Sequence, residues 1–201
     1  TQVDAASDLA ELQTTDQAAA KTYKQEARTI SKKRKAAAPK LARSITQAMQ
    51  GLGMHGGVFH VALTTLTSPA QAGLEEVAFL VAGHAGSTPR PVGKVASGGE
   101  LSRIALAISV VTSQLGSAQT LIFDEVDSGV GGAVAQTVGK LMKQLGHDRQ
   151  VLAVTHLPQV AACANQHWVV AKHSTNINNV GSTSSTVTPV VGDARVAEVA
   201  R

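Results

Sequence analysis

Aromatic side chains make up only 2% of this 201-residue chain, and cysteine occurs once, at Cys163. With so few rings, Val, Leu, Ile and Ala must fill the interior, drawing on a 43% apolar fraction that is enough for one substantial core. A single thiol excludes a disulfide within the chain, and it leaves no partner for a Cys-based zinc knuckle or a redox pair. No stretch approaches the roughly 18 consecutive apolar residues of a membrane helix. Residues 1–10 have neither a basic n-region nor an apolar h-region, so the chain reads as cytoplasmic, with no membrane partner. Also missing is the pattern Gly, four residues, Gly-Lys and then Ser or Thr, whose amides cradle phosphates. The nearest look-alike, Gly86 to Lys94, has six residues between its glycines and Val95 after its lysine. The segment 83–93 therefore reads as a surface loop.

The net charge of +4 is unevenly spread. Residues 1–50 carry 9 Lys and Arg against 5 Asp and Glu, and the remainder balances at 9 each. In this first quarter Leu9, Leu12, Asp16, Ala19, Tyr23, Ala27, Ile30, Arg34, Ala37, Leu41, Ile45, Ala48 and Leu52 follow a three-four spacing. The spacing predicts an amphipathic helix on the order of 65 Å long, an arm more than a core helix, with Pro39 marking a kink or restart. Its seam is Ala-rich and interrupted by Asp16 and Arg34, so it needs a partner helix. Lys21, Lys24, Arg28, Lys32, Lys33, Arg34, Lys35, Lys40 and Arg43 are opposed only by Glu26. They suit DNA phosphates, with Lys32, Lys33, Arg34 and Lys35 the densest run. The solvated face of a coiled coil is the plainer reading of the same charges, and it weighs more. The chain opens inside a helical pattern and stops soon after another begins at Asp193, as expected of a fragment at both ends.

Beyond the glycines at 51, 53, 56 and 57, runs at 58–63 and 76–82 predict a hairpin around a polar loop containing Pro69 and Gly73. An apolar helix is expected from 99 to 114 and a strand at 120–123. A helix at 133–145, a strand at 150–154, a short helix at 159–164 and a strand at 168–172 continue an alternating α/β pattern. A last strand, 184–191, follows an Asn/Gly/Ser turn region.

Chemistry concentrates in the middle of this pattern. Leu121-Ile122-Phe123-Asp124-Glu125 sets two carboxylates at the C-terminal end of an apolar strand, where ligands of open α/β sheets bind. This is the pattern of a Walker B strand, with Asp124 holding Mg²⁺ through water and Glu125 activating the attacking water. An acidic turn after a strand is the plainer alternative. Ser97-Gly98-Gly99-Glu100-Leu101-Ser102-Arg103 opens a helix with two glycines that let backbone amides approach an anion. An ordinary N-cap is the bland reading here. The order decides between them: Asp124 follows Glu100 by 24 residues, one helix and one turn, as an ABC signature precedes a Walker B strand. Asp127-Ser128-Gly129 stands where a D-loop would, and the strand 151–154 leads through Thr155 to His156, placed as a switch histidine on the γ-phosphate. His55, His60, His84, His147, His167 and His173 show no metal-ligand spacing.

The runs from Lys94 to Arg103, Phe123 to Gly132 and Val154 to Val160 together resemble the RecN family of SMC-like ABC ATPases over roughly residues 90–173. Transporter ATPases have Pro after the catalytic Glu, whereas Val126 stands here, as in chromosome-associated relatives. The resemblance implies an α/β fold, the C-terminal lobe of an ABC-type head. Residues 1–50 would be a returning coiled-coil arm helix and 51–201 the lobe. It also implies ATP and Mg as cofactors, with Glu125, Asp124 and His156 catalytic, and Ser97, Gly98, Gly99, Glu100 and Asp127 at the nucleotide. The implied partners are the P-loop half of the same head, a second head across sandwiched ATP, and DNA. The implied function is repair of double-strand breaks and recombination. Without a P-loop the chain alone is expected to be inactive. The alternatives are a non-catalytic dimerisation or DNA-tethering fragment and the head of another SMC-type ATPase. Ser128-Gly129-Val130-Gly131-Gly132 stands closer to RecN than to the Leu-Asp ending usual in the latter.

Overall fold

The computed structural model describes residues 2–95, 97–113, 115, 118–177 and 180–201, without the side chains of 2–8 and 174–182. Helix α1, Gln2–Gln50, is built from Ala, Gln and Lys, which favour helix, and from threonines that would otherwise disfavour it. Thr14, Thr15, Thr22 and Thr29 donate their hydroxyls to carbonyls four residues back. The expected restart at Pro39 does not occur, and the helix continues through it. An interior proline costs about 3 kcal/mol. Beyond it Ile45, Met49 and Leu52 are fully buried, each worth about 1.5–3 kcal/mol, so packing outweighs the penalty.

The covered face of α1 also differs from the expected seam. Tyr23, Ala27, Arg34, Leu41 and Ile45 are on it, but Ser31 and Ala38 take the places assigned to Ile30 and Ala37. Ile30 is 39% exposed. The cause is the partner, which over this stretch is a β-hairpin and not a second helix. Strand β1, Val58–Ala70, pairs antiparallel with β2, Gly73–Ala82, from Val58↔Ala82 to Thr65↔Glu75 and again at Ala70↔Gly73. Most of the polar segment expected as a loop is thus strand, and the turn narrows to Gln71 and Ala72. An irregularity between Thr65 and Ala70 accommodates Pro69, which has no N–H for the ladder. The Tyr23 hydroxyl donates to Ala70 O at 2.8 Å and Gly73 O at 3.2 Å. The Ser31 hydroxyl donates to the buried carboxylate of Glu75, and Arg34 lies 3.7 Å from the same group. Along 9–22 every residue of α1 is exposed, Leu9 and Leu12 included.

A short β3, Arg90–Pro91, extends the hairpin beside β2 and leads through a 3₁₀ turn, Val92–Lys94, into helix α2, Gly98–Val111. This helix was expected to reach 114. It ends at Val111, where the Thr112 hydroxyl turns back to Ile108 O at 2.7 Å; Gln114 lies outside the described residues. Strand β4, Thr120–Phe123, pairs in parallel with β5, Gln150–Ala153, and helix α3, Gly132–Leu145, makes the crossover that parallel pairing requires. A one-turn α4, Pro158–Ala161, follows. Strands β6, His167–Ile177, and β7, Val180–Val190, form an antiparallel ribbon. Their ladder runs from His167↔Val190 to Ile177↔Val180, so most of the expected turn region is strand, and 178 and 179 lie outside the described residues. Helix α5, Gly192–Val199, closes the chain.

One core joins these parts. Ile45 and Met49 of α1, Phe59 of β1, Ile104 and Leu106 of α2, Phe123 of β4 and Val138 of α3 belong to it. The only aromatic stacking among the described residues is Phe59 on Phe79, with centroids 5.6 Å apart. One face of the β4–β5 pair is bare: Ile122 is 71% exposed, and Leu152 and Val154 are exposed beside it. Among the described residues no helix is long and apolar enough to cross a membrane.

Phe59→Ala should lower stability by about 3–5 kcal/mol, because it opens a cavity where arm, hairpin and α2 meet. Ile30→Ala should stay within about 0.5 kcal/mol, being off the packed face. Urea unfolding followed by circular dichroism separates the two, and the reverse ranking would mean that α1 packs by another face.

Candidate functional site

Strand β4 delivers its two carboxylates between buried anchors. Phe123 before them and Val126 after them are in the core, which forces Asp124 and Glu125 out of the strand end into solvent. Asp124 Oδ1 accepts the Glu125 N–H at 2.9 Å, and Oδ2 has no partner among the described residues. Glu125 takes φ +53°, the one non-glycine residue among those described in the left-handed region. Such a conformation costs of order 1–3 kcal/mol and persists only where surrounding structure imposes it. Here a turn is closed by Ser128 N–H to Glu125 O at 3.0 Å and Val130 N–H to Asp127 O at 3.3 Å.

The N-terminus of α2 lies directly against this turn. Ser97 caps the helix, its hydroxyl oxygen accepting the Glu100 N–H at 3.4 Å, so the bland N-cap reading of Ser97 is correct as far as it goes. Gly99 is needed for the approach, since a Cβ there would sit 2.9 Å from Ser128 Cβ and Ser128 O; one on Gly98 would meet only the mobile end of Glu125, at 2.5 Å from Oε2. Ser102 Oγ donates to Asp124 O at 2.6 Å, and Arg103 Nη1 donates to Ser128 O at 2.7 Å. Arg103 is buried beside Ile104 and Leu106, and burial pulls its guanidinium below the ordinary value while Glu100 opposes the shift. It remains a cation at neutral pH, and its donation to a carbonyl is charge-assisted.

The third strand-end group joins from β5. Asp127 is only 1% exposed and takes the Thr155 hydroxyl and the His156 N–H, the latter at 3.1 Å, on Oδ2. His156 Nδ1 lies 3.5 Å from the same oxygen while its side chain stays 72% exposed.

The structure thus brings Ser97, Gly98, Gly99 and Glu100 together with Asp124 and Glu125, and sets Asp127 against His156. Asp127, expected at the nucleotide, is buried with its carboxylate already engaged. The basic run lies apart, on α1: Lys32, Lys33 and Lys35 are exposed, whereas Arg34 is half-buried beside Glu75. Arg103 and Thr155 were in the quoted motifs without a role. A signal for Arg103 was present, a lone cation one residue before the apolar run 104–108.

No protein-family model matches the chain. The DNA repair protein RecN of Xylella fastidiosa (strain Temecula1 / ATCC 700964) is 42% identical over 181 residues, 89% of this chain and 32% of that protein. RecN of Vibrio cholerae is 42% identical over 167 residues, 82% of this chain and 29% of that protein, and RecN of Mycobacterium leprae 40% over 192, 86% and 32%. The chain belongs to the RecN family. It spans about a third of the length of these RecN proteins and matches their C-terminal part. Among solved structures, the Smc head domain with a coiled coil and joint from Pyrococcus yayanosii superposes with TM-score 0.53 at 19% identity, over 80% of this chain and 28% of that one. The Smc head from Pyrococcus furiosus, bound to the C-terminal domain of ScpA, also gives 0.53 at 19%, over 88% and 41%. The fold is accordingly the α/β fold of an SMC-type ATPase head, as the RecN-like motifs implied.

Gly99→Ala should be destabilising. Alanine gains about 1 kcal/mol over glycine inside a helix. Overpacking against the Ser128 backbone costs about 1–3 kcal/mol and should dominate. A melting temperature equal to or above that of the parent would show that the contact between α2 and the turn is loose.

Proposed function

We propose that this chain is the C-terminal half of an SMC-like ABC ATPase head, in which ATP binding and hydrolysis between paired heads serve the repair of DNA double-strand breaks and recombination. The observation that carries the reading is the contact of the Ser97–Glu100 turn with the Asp124–Ser128 turn through Gly98 and Gly99. A strand that merely ended in acidic residues would not require it. Residues 1–50 are the returning arm helix in this reading, rooted by Ile45 and Met49 in the lobe formed by 51–201.

The roles follow from the free atoms. Asp124 Oδ2, with no partner among the described residues, lies at an exposed strand end, a hard oxygen donor suited to a Mg²⁺-bound water. Bound there, the ion would neutralise charge on the β- and γ-phosphate oxygens. Glu125 orients and deprotonates the attacking water. His156, exposed just beyond the end of β5 and beside Asp127, reaches the γ-phosphate in this reading. Ser97 uses a lone pair for its cap, so its hydroxyl proton stays free to donate to phosphate. With Gly98, Gly99, Glu100 and the positive end of α2, it would act on nucleotide held by a second head.

The phosphate grip comes, in this proposal, from the P-loop half of the same head. Support lies in the bare face formed by Ile122, Leu152 and Val154, since parallel strands are normally covered on both faces. In the full-length protein Glu125→Gln should lower ATP turnover by about 10²–10⁴-fold while leaving ATP binding intact. The isolated chain should not turn over ATP. Turnover by the isolated chain that disappears with Glu125→Gln would refute the division of labour.

DNA contact is proposed for the arm, which also places the protein on the nucleoid. Lys21, Lys24 and Arg28 line one shallow groove with Gln17, Gln25 and Thr29, and Lys32 and Lys35 continue that stripe at helical spacing. Lys33 lies about 100° around the helix from Lys32, and Arg34 faces Glu75, so the densest run in sequence is not the densest face. Charge reversal of Lys24, Arg28 and Lys32 in the full-length protein should weaken DNA binding at low salt and flatten its salt dependence. Unchanged affinity would leave the stripe as a solvated face.

A further inference from the structure

Asp127 is a buried carboxylate whose side-chain partners among the described residues, Thr155 and His156, both follow the end of β5. Its Oδ2 receives the Thr155 hydroxyl and the His156 N–H at 3.1 Å, and lies 3.5 Å from His156 Nδ1. Thr155 Oγ1 in turn accepts the Leu157 N–H at 3.1 Å. An isolated carboxylate at 1% exposure would be costly to bury, and these donors offset that cost in the arrangement that residues 155–157 take here. Val126, fully buried next to Asp127, keeps the carboxylate from following the loop outward. The two nitrogens of an imidazole diverge, so a ring turned with Nδ1 towards Asp127 presents Nε2 outward from a largely exposed side chain.

We propose that Asp127 does not touch nucleotide but is the positioning residue of His156, with Thr155 completing its hold. The proposal rests on the reading of His156 as the γ-phosphate contact. It differs from the sequence expectation, which put Asp127 itself at the nucleotide, and it gives Thr155 a function that no motif assigned. The logic is that of a carboxylate that holds a histidine in one orientation while the opposite nitrogen does the work. The same loop is anchored on the α2 side, where Arg103 donates to the carbonyl of Ser128.

The test is steady-state ATP turnover by the full-length protein. Asp127→Asn keeps the shape but loses the charge, and should lower kcat about tenfold with KM for ATP within about twofold. In a His156→Ala background the same substitution should produce no further loss, because its effect passes through the missing ring. Thr155→Val should lower kcat in the same way and Thr155→Ser should restore it; this pair carries the test if Asp127→Asn does not fold. Losses that multiply independently of His156, or a raised KM at unchanged kcat, would overturn the proposal. Wild-type turnover by His156→Ala would instead remove the parent reading of His156, and this inference with it.

Discussion

The site exists because helix α2 can come within backbone distance of the turn that follows β4. Gly99, which has no side chain, permits the approach, and Ser102 and Arg103 one turn later lock it by donating to Asp124 O and Ser128 O. A neutral hydrogen bond is worth about 0.5–1.5 kcal/mol and a charge-assisted one about 1.5–3 kcal/mol. Together they are of the size needed to hold Glu125 in its left-handed conformation, which costs of order 1–3 kcal/mol. Loosening this contact would release Glu125, move the Ser128 carbonyl and free the loop that carries Asp127. The strand-end carboxylates, the Ser97–Glu100 turn and the loop that carries Asp127 are therefore one mechanical unit.

The same economy governs the arm. Helix α1 is a projecting element at its N-terminal end and a core element at its C-terminal end, with Ile45 and Met49 packed among residues of α2 and β1. Between the two regions the β1–β2 hairpin grips the helix through Tyr23, Ser31 and Arg34. A buried glutamate, Glu75, is the centre of that grip. Displacing α1 from the hairpin would break polar contacts whose loss would strand a buried carboxylate.

What the lobe leaves uncovered is as informative as what it packs. A parallel pair of strands with Ile122, Leu152 and Val154 on an open face is half of a layered structure, since both faces of such sheets are ordinarily buried. The RecN proteins that share this sequence are about three times longer than the matched segment. A chain that carries Asp124, Glu125 and the Ser97–Glu100 turn but no Gly-x4-Gly-Lys-Ser/Thr run fits the division proposed above.

The sequence by itself determined the features that depend on near neighbours. The apolar run ending in Asp124-Glu125, the Ser97–Glu100 cap, the crossover helix α3 and the long α1 all follow from patterns read over a few residues, and the residues of three short runs, 94–103, 123–132 and 154–160, carried the resemblance to the family. Tertiary structure decided the rest. Ser31 displaced Ile30 from the packed face because its partner Glu75 is 44 residues away. Pro39 remained inside a helix because burial beyond it outweighs a lost backbone bond. The loop around Pro69 became strand because the arm helix holds its end. Asp127 turned inward because Thr155, 28 residues on, offers a donor. Helical and strand periodicity encode which residues share a face, but the chemistry of the surface that the face meets is written elsewhere in the chain and becomes legible only when folding brings the two together.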